Sequence, residues 1–137
     1  MKTINATKGE FVNLINGLFQ VQELKGKKFG LIVSKNITTL KEKLKHLEDI
    51  GKPSEEFMEL AMKVNELTNS NDEAAKEKID ALEKENDTLV KARRKQMDKV
   101  TELMKDEMTI ELKTISESIL PSDITAKQIN NIEKIIE

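Results

Sequence analysis

Phe29, Val33, Ile37, Leu40, Leu44 and Leu47 follow one another at intervals of three and four residues. That spacing returns each side chain to the same face of a helix with 3.6 residues per turn, so it predicts a helix over roughly 29–49 with one apolar stripe to bury. The same signature stands on either side of it. Phe11, Leu14, Ile15, Leu18 and Val21 form a stripe upstream, and Phe57, Leu60, Ala61, Val64 and Leu67 form one downstream. Punctuation between the stripes agrees. Thr7 and Glu10 have capping-box spacing, which starts the first helix near Lys8, and it should end before Gly26. Gly51-Lys52-Pro53 breaks the second, because proline disfavours helical backbone in the residue before it. Ser54 is placed to cap a third helix over 54–68.

Residues 71–107 contain neither glycine nor proline. Asn69-Ser70-Asn71 reads as a turn that supplies the N-cap, with Asp72 and Glu73 at the positive end of the helix dipole. A single helix over 71–107 would be about 55 Å long at ~1.5 Å per residue. Asp80 with Lys84 and Asp87 with Lys91 give ion pairs in the favourable orientation. Apolar positions are sparse but heptad-like: Ala75, Ile79, Leu82, Leu89, Val100 and Leu103. Asn86, Arg93 and Gln96 fall on the same seam, and a polar residue there is a known device for fixing register and strand number. Two arrangements follow: a half-exposed helix that packs at its ends, or a self-associating coiled coil in a homo-oligomer with Ile79, Leu82, Asn86 and Leu89 at the interface.

Met108–Ile115 alternates apolar and polar residues, the pattern of a half-buried strand, and its natural partner is a short strand at the N-terminus. Leu120-Pro121-Ser122-Asp123 is a turn, and a final helix from Thr125 places Ile129, Ile132 and Ile136 on one side. The expected fold is therefore mainly α: helical hairpins, one long helix (about 71–107), and a small two-stranded β-sheet from the N-terminus and residues 108–115. The 137 residues are expected to form a single domain, with 71–107 as a long, protruding or coiled-coil helix.

The first and last stretches, Phe11–Leu18, Lys27-Lys28-Phe29 leading to Ile32-Val33-Ser34-Lys35-Asn36, Met108–Ile115, Leu120–Ile124 and Ile132–Ile136, together resemble a family of small uncharacterised proteins encoded by tailed phages of Gram-positive bacteria. The Lys35-Asn36 pair is the most specific element of the likeness. The resemblance covers about half the chain and brings no activity with it; it implies a viral protein working in the cytoplasm of the infected bacterial host.

Several chemistries lack their residues. There is no cysteine, and the one histidine, His46, reads as solvated surface on a charged helix. No phosphate-binding glycine loop or dinucleotide fingerprint occurs. Carboxylate pairs such as Glu55/Glu59 and Glu73/Glu77 have the spacing of a metal site, but in so charged a chain they read as solvated faces. No catalytic residue, metal or cofactor is expected, and no apolar run approaches the ~20 residues needed to span a bilayer. The N-terminus lacks the pattern of a signal peptide.

Charge is what remains. The net charge is −2, but residues 1–50 carry nine lysines against five acids, while residues 51–107 carry eleven basic against fifteen acidic residues. Lys27, Lys28, Lys35 and Asn36 at the start of the second helix, and Arg93 and Arg94 on the long helix, form two basic clusters suited to phosphate, with Asn36 able both to donate and to accept. These six residues are the candidate anion site. The expected function is that of a non-catalytic phage accessory protein with a counter-defence role, one that binds and sequesters a small anionic, nucleotide-type signal or a host defence protein. The alternative is a morphogenesis or late-gene assembly protein acting through helical contacts. Nucleic acid and membrane are not expected as partners.

Overall fold

Thr7 ends one element and starts the next. It closes β1 (Lys2–Thr7), and its hydroxyl accepts from the Glu10 N–H at 3.1 Å, capping α1 (Lys8–Val21). The computed structural model describes all 137 residues. The remaining elements are α2 (Lys27–Gly51), α3 (Glu55–Thr68), α4 (Ala75–Glu85), α5 (Asp87–Met104), β2 (Glu107–Leu112) and α6 (Ala126–Asn131), with 3-10 turns at Glu117–Ile119 and Glu133–Ile135. The fold is mainly α with one small two-stranded antiparallel sheet, as the patterning predicts.

The chain groups into two compact units: residues 1–47 with 102–137, and residues 48–101. In the first, β1 pairs antiparallel with β2, Ile4 opposite Ile110 and Thr7 opposite Glu107. Ile4, Ala6, Ile110 and Leu112 point into a core shared with Phe11, Leu14 and Leu18 of α1 and Phe29, Val33 and Leu40 of α2. Gly26 links the two helices with φ 139°, a backbone region open to glycine and costly for other residues. Gly17 lets α1 and α6 approach closely: a Cβ there would lie 2.9 Å from the Asn131 carbonyl oxygen.

The predicted strand over 108–115 is shorter than its alternation suggests, because its partners change along its length. Beyond Leu112, Lys113 pairs with a side chain, described below. Ile115 then donates to the Ile135 carbonyl at 2.7 Å and accepts from the Glu137 N–H at 2.9 Å, a parallel bridge to the tail. That bridge also corrects the predicted final helix. Thr125 caps it in a full capping box with Gln128, but it stops at Asn131. Ile132 and Ile135 are buried, and Ile136 sits opposite Ile115 rather than on a continuing helical face.

The second unit holds α3, α4 and most of α5. Ser54 caps α3 as expected, its hydroxyl accepting from the Phe57 N–H at 3.1 Å. The single helix expected over 71–107 is corrected to two. Asn71 is not its cap: Asp72 accepts from the Ala74 N–H at 2.9 Å in the turn, and helix begins only at Ala75. Asn86 then ends α4 with φ −111° and ψ 28°, and its side-chain amide donates to the Leu82 carbonyl at 2.9 Å. α4 packs on α3, so the two form a helical hairpin within this unit.

Candidate binding surface

α3 leaves much of its apolar surface in solvent. Leu60 is its only fully buried residue. Phe57, Val64 and Leu67 are half-buried, and Met58 and Met62 stand 48% and 65% exposed, one helical turn apart. Grooves run along both sides. One, of about 380 Å³, is lined by Phe57, Ala61, Val64 and Val90 with Glu83 at its edge. The other, of about 360 Å³, carries Glu56, Glu59 and Glu85 against a single cation, Lys63. Residues 54–86 hold ten acidic residues and four lysines. Five ion pairs form in the whole protein, and Glu55, Glu56, Glu59, Glu66, Glu83 and Glu85 take part in none of them. The surface is therefore apolar along its middle and bordered by uncommitted carboxylates.

The turn between α3 and α4 is held by a different kind of acid. The Lys78 ammonium and the Ala74 N–H both bond the Asp72 carboxylate and hold it below its ordinary pKa of 3.8.

Of the six residues of the predicted anion site, Asn36 and Arg93 are engaged in internal hydrogen bonds. Asn36 is buried, and both ends of its amide are taken: Nδ2 donates to the Lys113 carbonyl and Oδ1 accepts from the Lys113 N–H, each at 2.9 Å. The capacity both to donate and to accept that made it a candidate ligand group serves the backbone instead. Arg93 lies in the second unit, where one Nη donates to the Gly51 carbonyl at 2.7 Å and to Gln96 Oε1 at 2.9 Å. Its guanidinium stands 5.5 Å from the centre of the Phe57 ring. Gln96 in turn donates to the carbonyls of Ile50 and Lys52, both at 2.6 Å. Arg93 and Gln96 thus satisfy carbonyls left over at the end of α2, which lack partners within the helix. Lys27, Lys28, Lys35 and Arg94 are exposed and form no ion pair.

Ile79, Leu82 and Leu89, read as a coiled-coil seam, are half-buried, and the seam is interrupted at Asn86, which acts as a helix cap. Asp87 and Lys91 form their expected pair at 2.9 Å. His46 departs from the solvated reading: it is half-buried, and its Nε2 is enclosed without a hydrogen-bond partner. The exposed methionines escape sequence reasoning, since Met at helical spacing ordinarily signals core. Their place between Glu55, Glu59 and Glu66 was the available signal. No helix is long and apolar enough to cross a membrane.

No protein-family model matches the chain, and no curated protein or solved structure is similar to it.

Proposed function

We propose that this is a non-catalytic binding protein that captures another protein on the α3 surface and withholds it, which would give it a counter-defence role. The observation that supports it is the exposed pair Met58 and Met62 beside an apolar groove, bordered by carboxylates with no internal partner. Apolar surface flanked by charge favours a macromolecular partner, because its burial supplies affinity while the charges select what docks. The test is affinity capture from phage-infected bacteria with the full chain and with Met58→Ser/Met62→Ser. Loss of one bacterial protein from the variant's eluate, with helicity retained, supports the reading; identical eluates overturn it. Recovery of phage structural proteins alone would favour the morphogenesis role instead.

Sequestration of a small anion has a narrower base. Lys27, Lys28 and Lys35 are exposed and unpaired on the first turns of α2, without Asn36 beside them as a ligand group. Native mass spectrometry of protein freshly purified from bacteria tests this second reading. Retained mass in the nucleotide range that disappears in Lys28→Ala/Lys35→Ala supports it, and a bare protein counts against it.

A further inference from the structure

We propose that the groove beside α3 takes a cationic amphipathic helix presented by the partner. This rests on the reading of α3 as the docking surface and adds the chemistry of what docks there. The floor of the groove is apolar, with Phe57 and Val64 on α3 and Val90 on α5. Ala61 and Asn65 also line it, Met58 and Met62 stand exposed on α3 three residues before each of them, and Ala61 is small enough to let another backbone come close. Methionine side chains are unbranched and polarisable, so they mould to the apolar stripe of an incoming helix. α3 is 14 residues long, about 21 Å at ~1.5 Å per residue, enough to face roughly four turns of a partner helix.

Charge decides which helix. Glu55, Glu59 and Glu66 lie one turn from Met58 or Met62, Glu83 edges the groove, and none of the four has a cation within ion-pair distance. Lysine or arginine flanking an apolar stripe would pair with them. A helix with acidic flanks, an anionic lipid surface or a nucleic acid would be repelled. The competing occupant is a second copy of this chain, because α2 exposes Lys27, Lys28, Leu31 and Lys35.

The experiment uses the full chain carrying ¹³C-methyl methionine and an amphipathic peptide of Leu and Lys, roughly 18 residues long, with a Leu/Glu peptide of the same pattern as control. The expected result is saturable movement of the Met58 and Met62 methyl signals with the cationic peptide, Met1 and Met108 staying still, and no movement with the anionic one. Met58→Ser/Met62→Ser and Glu59→Lys/Glu83→Lys should each weaken binding by about tenfold or more. Asp123→Lys, in the first unit, should leave it unchanged. Still methionine signals, or equal weakening by Asp123→Lys, overturn the proposal. Movement with protein concentration alone, abolished by Lys28→Glu/Lys35→Glu, overturns it in favour of a second copy. If the peptide fails to bind while Met58→Ser/Met62→Ser still loses the captured protein, the cationic helix is wrong and the α3 surface stands. If capture is also unaffected, both fall.

Discussion

Asn36 and Lys113 are 77 positions apart in sequence and exchange two hydrogen bonds of 2.9 Å, amide to backbone in both directions. The side chain behaves as one residue of an extra strand, extending the pairing of the 107–115 segment past the end of β1. Because Asn36 is 1% exposed, water cannot replace it. Asn36→Ala should cost about 2–4 kcal/mol, the loss of two bonds together with the desolvated peptide group left behind. Asn36→Asp keeps the acceptor but sets a carboxylate against a carbonyl, and should be at least as harmful. Urea unfolding followed by circular dichroism measures both.

Two glycines should respond in opposite senses to the same substitution. At Gly17 a methyl group would meet the backbone of Asn131 at 2.9–3.2 Å, and backbone cannot step aside as a flexible side chain can. Gly17→Ala should destabilise by about 1–3 kcal/mol through overpacking. At Gly30, inside α2, a Cβ meets nothing within 4 Å. Gly30→Ala should therefore stabilise by roughly 0.5–1 kcal/mol, the helix-propensity difference. Thermal melts of the two variants side by side give the comparison.

Arg93 and Gln96 should prove to be coupled stability residues. Each donates to carbonyls between Ile50 and Lys52, and they bond each other. Gln96→Leu or Arg93→Met should each cost about 1–2 kcal/mol, and the double variant less than their sum. A double-mutant cycle from chemical denaturation shows the coupling; strict additivity would mean that the two act separately.

Asp72 gives the α3–α4 turn a dependence on acid. Its pKa is depressed first by the bond from Lys78 and then by that from Ala74. A depressed acid favours the folded turn when ionised, so its contribution is present at neutral pH and fades as pH falls through the folded-state value, below 3.8. In a ¹³C carboxyl titration the Asp72 midpoint should lie under 3.8, and Lys78→Ala should move it up toward that value.

The parts of the fold that could be read from sequence are those whose physics is local. Thr7, Ser54 and Thr125 announce helix starts because a cap and its N–H lie three residues apart. The α2 stripe is legible because one helix face carries it. What escaped depends on partners distant in sequence. Asn36 reads as a ligand group until Lys113 arrives beside it, and Arg93 reads as a phosphate contact until Gly51 does. The break at Asn86 has no glycine or proline to mark it and rests on one asparagine bonding back to Leu82. Met58 and Met62 have the spacing of core residues, and only the packing of α3 by its other face leaves them in solvent.

The first unit is assembled from both ends of the chain, and that sets an order of events during synthesis. β1 is synthesised well before its partner, because the strand that pairs with it begins only at Glu107. Until then the nascent protein carries an unpaired strand edge and the bare apolar faces of α1 and α2, while residues 48–101 already have all they need for the α3–α4 hairpin. Closing so long a loop makes the sheet a late, slow step. During that interval an exposed edge can pair with a neighbouring chain. Production at high concentration or elevated temperature should therefore lose material to aggregation through the N-terminal strand, even where the finished molecule is stable.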